Sequence, residues 1–212
     1  RDNDELRLKR LKGKISSEKR YDHSIFGERI YRSSLNIMRL SKYEDNIPIS
    51  ISEKLLHKRD LKVGDNLSIK GQIRSYNCYE HGKNKVDITI FAKEIEWEEI
   101  QEDRDDLLED SISNEVILEG HICKKPSYRE TPEGRKISDI LLAVNRAYNK
   151  SDYIPAIAWG KNASICKKFD VGDQIKIVGR IQSRDYEKKV SDGTTEIRTA
   201  YELSVSKIKL VK

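Results

Sequence analysis

Shifted by 107 positions, the sequence lies over itself. Leu11 coincides with Leu118, Gly13 with Gly120, Ile15 with Ile122, Tyr21 with Tyr128 and Gly27 with Gly134. The coincidence continues without a gap through Ile30 and Ile137, Leu35 and Leu142, Arg39 and Arg146, Asp45 and Asp152, and Ile47-Pro48 with Ile154-Pro155. One inserted residue later Val63-Gly64-Asp65 meets Val171-Gly172-Asp173, Gly71 meets Gly179 and Ser75 meets Ser183; after five more, Ile95 meets Ile208. Insertions at loop positions are what a repeated fold tolerates. The chain is therefore expected to fold as two copies of one unit, each of about 95 residues.

Each copy reads as a small β domain. Val116, Leu118, Gly120 and Ile122 alternate with polar residues, as a half-buried strand requires. Thr131-Pro132-Glu133-Gly134 is turn chemistry, and a second strand is expected from about Ile137 to Arg146. Asn149 to Asp152 reads as a polar loop, Ile154 to Trp159 as strand three, and residues 161–169 as one short helix. Ile175, Ile177, Gly179 and Ile181 make strand four, with glycine in phase at a bulge or tight bend. Strand five alternates through Tyr201, Leu203 and Val205, then slips to Ile208 and Leu210; Ile88, Ile90, Ala92 and then Ile95, Trp97 slip alike. A shared slip predicts a β-bulge in both copies. Five strands with a helix between the third and fourth is the layout of the oligonucleotide-binding (OB) fold, and pattern alone leaves sandwiches and other small barrels open.

Charge is unevenly placed. The net charge is +5, yet residues 98–113 hold eight acids and one base. This acidic segment is expected to be a solvated linker between residues 1–97 and 114–212. No apolar run approaches the ~18 residues of a spanning helix, so no membrane is expected as a partner. Cys78, Cys123 and Cys166 are too scattered for a disulfide framework or a zinc site. No phosphate-cradling glycine loop or Ser/His/Asp arrangement occurs, and His23, His57, His81 and His121 are dispersed. Neither catalysis nor any cofactor or metal is expected.

Blocks along the second copy resemble the bacterial single-stranded DNA-binding protein family. They are Asn114 to Gly120, Pro126 to Arg129, Leu142-Ala143-Val144, Trp159-Gly160-Lys161-Asn162-Ala163 and Gly179-Arg180-Ile181-Gln182-Ser183-Arg184. The first copy resembles the family through the repeat. The resemblance implies an all-β chain of two tandem five-stranded OB barrels: residues 1–97 as a diverged barrel, and residues 114–212 as the family-like one. It implies sequence-tolerant binding of single-stranded DNA, with a coating role in replication, recombination or mobile-element transfer. The competing expectation is a non-catalytic protein-interaction or primosome-assembly module.

Single strands are held by basic grooves and by aromatic rings on which bases stack. The family's stacking positions fall on Tyr148, Tyr153, Trp159 and Tyr186. The implied phosphate contacts are Arg146, Lys161, Arg180 and Arg184, extended by Lys124 and Arg129. In the first copy Ser41 stands opposite Tyr148 and Asn46 opposite Tyr153, leaving Tyr43 and Tyr79 (or Tyr76) as aromatic candidates. The basic positions Arg39 and Arg74 persist there. The first copy is therefore expected to contact DNA through phosphates more than through stacking. The resemblance further implies partners among replication or recombination proteins, a cytoplasmic, nucleoid-associated setting, and a homodimer that brings four barrels together. The apolar first strands, Leu11 to Ile15 and Leu118 to Ile122, are the edges expected to pair between chains.

Overall fold

The computed structural model describes residues 8–80, 82–99, 114–146 and 148–211. The first copy comprises β1 (Leu8–Ile15), β2 (Arg20–Ile25), β3 (Glu28–Met38), β4 (Glu44–Ser52), a 3-10 turn (Glu53–Leu56), β5 (Asn66–Glu80) and β6 (Lys83–Glu98). The second comprises β7 (Asn114–Ile122), β8 (Ser127–Glu130), β9 (Lys136–Arg146), β10 (Lys150–Trp159), the helix α1 (Gly160–Cys166), β11 (Gln174–Lys189) and β12 (Thr195–Leu210). Most of the expected acidic linker, residues 100–113, lies outside the described residues.

Each copy closes on itself. β1 pairs with β5 along one side and bridges to β3 through Lys14↔Asn36 and Ile15↔Leu35. β3, β4, β6 and β5 complete the ring, with β4 and β6 parallel through Ile49↔Ile90. The second copy repeats this as β7, β9, β10, β12 and β11, closed by His121↔Ala143 and Ile122↔Leu142. These are OB barrels, and β2 and β8 are arms hydrogen-bonded along β3 and β9. The alternation fills each interior: Leu11, Leu35, Ile47, Ile69 and Ile90 line one core, and Leu118, Leu142, Ile154, Ile177 and Leu203 the other.

The shared slip is a bulge in both copies. Register passes from Lys70↔Glu94 to Gly71↔Ala92 and from Val178↔Lys207 to Gly179↔Val205, so Lys93 and Ser206 are the extra residues. The glycines opposite them have no room for a side chain. A Cβ on Gly179 would lie 2.2 Å from the Ser204 carbonyl oxygen, and one on Gly71 would lie 2.1 Å from that of Phe91. The strand bends there into the barrel wall, which is why glycine sits in phase with apolar positions. The loop expected over Asn149 to Asp152 is shorter than read. β10 already begins at Lys150, paired with Arg146 across a three-residue connection in which Tyr148 and Asn149 both take positive φ.

The first-strand edges expected to serve a second chain are used within this one. β1 pairs antiparallel with β7 through Arg10↔Glu115 and Leu11↔Asn114, joining the barrels through one continuous sheet. The reason is mass action: the two edges are covalently tethered, so intrachain pairing outcompetes an equal pairing between chains. Two buried aspartates reinforce the seam at equivalent positions of the repeat. Asp45 Oδ1 accepts hydrogen bonds from Ser183 N (2.7 Å) and Ser183 Oγ (2.8 Å). Asp152 Oδ1 accepts from Ser75 N at 3.0 Å, and Ser75 Oγ accepts from Tyr153 N at 2.8 Å. Each copy thus lends an aspartate to the fourth strand of the other.

Candidate nucleic-acid interface

β10 alternates between core and surface. Asp152, Ile154, Ala156 and Ala158 point inward, which turns Tyr153, Pro155 and Trp159 outward; Ile157, on the same side of the strand as those three, is buried. Tyr153 and Trp159 are 44% and 41% exposed on this outer face, about 20 Å apart at the usual rise of a strand. Tyr148, in the turn leading into β10, is 89% exposed. The structure therefore brings three of the four stacking positions of the second copy onto one stretch of chain, as open rings. Tyr186 stands apart on the long β11–β12 hairpin, opposite Arg198 and half-buried, with the Arg184 guanidinium carbon 6.0 Å from its ring centre.

The basic candidates divide into two groups. Lys124, Lys161 and Arg180 are exposed, and among the described residues no carboxylate forms an ion pair with them. Burial first, and the nearby charge of Arg39 second, lower the pKa of Arg180. The others are engaged by the chain itself. Arg184 Nε donates to Glu202 Oε1 at 3.1 Å, which raises the arginine's pKa, and Arg129 pairs with Asp139. Arg146 Nε lies 3.6 Å from Asp152 Oδ2. Arg39 is the most committed. Its Nε and Nη2 each reach Asp45 at 2.6 Å, Nη2 also donates to Ser183 O at 2.8 Å, and its plane lies 4.4 Å from the Tyr43 ring centre. The geometry gives Arg39 the work of locking the seam, where the sequence suggested a phosphate contact.

In the first copy Tyr43 is 41% exposed beside Arg39, and the Tyr79 side chain lies outside the described residues. Two half-buried aromatics of this copy lie against arginines. Arg32 lies over the Tyr76 ring at 3.8 Å, and Arg74 over the Phe91 ring at 4.0 Å. Sequence reasoning named Tyr76 only as a substitute for Tyr79 and missed Phe91. The hairpin register sets Gln72 opposite Phe91 and so places Phe91 on the same face as Arg74 and Tyr76, which no pattern along the chain shows.

Residues 113–211 match the model of the single-strand binding protein family. A single-stranded DNA-binding protein of Clostridium tetani is 41% identical over 88 residues, 38% of this chain and 59% of that protein. Single-stranded DNA-binding protein B of Bacillus subtilis is 34% identical over 86 residues, 36% of this chain and 74% of that protein. The Deinococcus radiodurans single-stranded DNA-binding protein is 28% identical over 160 residues, 68% of this chain and 52% of the relative. The chain thus spans little more than half the length of the Clostridium and Deinococcus relatives. The wild-type single-stranded DNA-binding protein of Thermus aquaticus superposes with a TM-score of 0.71 at 17% identity, covering 98% of this chain and 93% of that one. That likeness establishes the shared fold.

Proposed function

This chain belongs to the single-strand binding protein family, and from that membership and the layout of β10 we propose that it binds single-stranded DNA with little sequence preference. The observation that carries the reading is the row of open rings Tyr148, Tyr153 and Trp159 on the second barrel. Unpaired bases stack on such rings whatever their identity, because every base has a π-face. Lys124, Lys161 and Arg180 supply cations for the phosphates between them. Duplex DNA has no exposed base faces to offer, so the same surface discriminates against it. The role is to coat and protect exposed strands during replication, recombination or mobile-element transfer, without catalysis, in the company of proteins of those processes. Among the described residues no helix is long and apolar enough to cross a membrane. A cytoplasmic, nucleoid-associated setting follows from the ligand.

Two chains related by a two-fold axis would bring four barrels together, the form of assembly we favour. Their contact lies away from the β1 and β7 edges, which pair inside the chain. Light scattering should then give twice 24.6 kDa; 24.6 kDa with and without DNA removes the dimer.

Titration with a thymidine oligomer tests the binding. It should quench Trp159 fluorescence, and affinity should fall with salt by about 0.7 counterions per phosphate contacted. A flat salt dependence, or duplex competing as well as single strand, overturns the reading.

A further inference from the structure

The first barrel reaches into the row of rings on the second through the backbone of β10. That strand pairs with β9 from Lys150↔Arg146 to Trp159↔Ile137, and with β12 at Ala156 and Ile157. In its first half, the edge that faces away from β9 meets β5 of the first copy instead. There Ser75 N donates to Asp152 Oδ1 at 3.0 Å, and Ser75 Oγ accepts a hydrogen bond from Tyr153 N at 2.8 Å. Two adjacent residues of β10, the buried Asp152 and the exposed Tyr153, are thus tied to one half-buried serine of the other barrel.

The repeat supplies the comparison that isolates what this serine adds. Ser183 stands where Ser75 does, Asp45 where Asp152 does, and Asn46 where Tyr153 does. On that side of the seam Ser183 N and Ser183 Oγ both donate to Asp45 Oδ1, at 2.7 and 2.8 Å. The bond from serine N–H to aspartate is common to both sides, so it accounts for holding the barrels together. The hydroxyl differs. It serves the aspartate where the next residue is Asn46, and it serves the backbone N–H where the next residue carries an exposed ring.

We propose that Ser75 of the first barrel is a positioning residue for DNA binding by the second, fixing the backbone at Tyr153 so that its ring stays in line with Tyr148 and Trp159. This inference rests on the reading that the β10 rings stack on unpaired bases. Trp159 sits where α1 begins, two residues beyond the last pairing with β12, and Tyr148 sits in a turn of two positive-φ residues. Tyr153 lies between these ends, on the stretch of β10 that the other copy supports. A ring held in its binding position loses less freedom when a base stacks on it, and that saving appears as affinity. The first barrel therefore strengthens binding at Tyr153 through a bond that involves no contact with DNA.

Titrations of the full chain with a thymidine oligomer, read by Trp159 fluorescence, test this. S75A should weaken binding by about fivefold, the size of one neutral hydrogen bond, and S75T, which keeps the hydroxyl, should restore it. S183A removes the equivalent hydroxyl beside Asn46 and should leave affinity unchanged. In a Y153A background S75A should cause no further loss, because the ring that it positions is gone; a serine with a merely structural role would weaken both backgrounds alike. Amide exchange of the wild-type chain, followed by NMR, supplies a reading that does not depend on any variant folding: the Tyr153 N–H should be protected. Equal affinity of S75A and wild type, an equal loss in the Y153A background, a matching loss in S183A, or a Tyr153 N–H that exchanges as fast as an open loop overturns the proposal. A wild-type chain whose Trp159 no oligomer quenches would instead remove the single-strand reading itself, and the role of Ser75 with it.

Discussion

Asp45→Ala removes the carboxylate at the centre of the barrel seam. Asp45 is 1% exposed and accepts four hydrogen bonds: two from Arg39 at 2.6 Å, one from Ser183 N at 2.7 Å and one from Ser183 Oγ at 2.8 Å. Truncation strands a half-buried guanidinium and a buried backbone N–H. Breaking a buried ion pair by removing one partner costs roughly 3–5 kcal/mol. The Arg39 side chain is 19% exposed and can recover some hydration, so about 3 kcal/mol is expected. Ser183→Ala removes only the hydroxyl bond and leaves its N–H paired with Asp45; about 1 kcal/mol or somewhat more is expected. Urea unfolding of the wild type, the single variants Asp45→Ala, Ser183→Ala and Arg39→Ala, and the double variant Arg39→Ala/Asp45→Ala gives these values directly. The Arg39 and Asp45 losses should be strongly non-additive, since either change alone leaves a buried charge and both together do not. A loss below 1 kcal/mol for Asp45→Ala, or strict additivity in the cycle, refutes the seam as described.

Trp159→Ala and Tyr148→Ala should each weaken binding of a thymidine oligomer by about 1–3 kcal/mol with the fold intact by circular dichroism; unchanged affinity in both would remove β10 from the interface. Gly179→Ala should destabilise by more than 2 kcal/mol, the upper range of ordinary substitutions, because its Cβ would meet the Ser204 carbonyl oxygen at 2.2 Å. Gly134→Ala, with φ +80° and nothing near its Cβ, should cost about 1 kcal/mol in the same thermal or urea assay. The Cys166 thiol is buried, and desolvation pushes its pKa up to about 12. At pH 8 it should resist alkylation by iodoacetamide until urea unfolds the chain; prompt modification of the native protein would show that the helix does not seal it.

The two barrels were legible in the sequence because the information is local and duplicated. Period-two alternation marks strands through burial of one face, and a repeat supplies every weak signal twice. Even the bulge could be read, from a slip of one residue shared by Val205 to Ile208 and Ala92 to Ile95. Tyr153 and Trp159 were marked through the resemblance to the family, and strand phase alone would not have sufficed, since Ile157 shares their phase and is buried.

What Arg39 does was not legible, because a cation's partner is set by distance in space. Asp45 is six residues away, but Ser183 is 144 residues away from Arg39 and comes near only when β4 and β11 meet across the seam. The repeat did align Asp45 with Asp152 and Ser75 with Ser183, yet nothing in a linear pattern says that each aspartate reaches the other copy's serine. The Arg74–Phe91 stack was hidden likewise, since it depends on cross-strand register, and one slipped residue at Lys93 decides which face Phe91 takes. The sequence by itself determined two β barrels of one kind, with their cores and their open β10 rings. Only the tertiary structure decided which charges remain for a ligand, because pairings such as Arg129–Asp139, Arg146–Asp152 and Arg184–Glu202 are made between strands that the fold brings together.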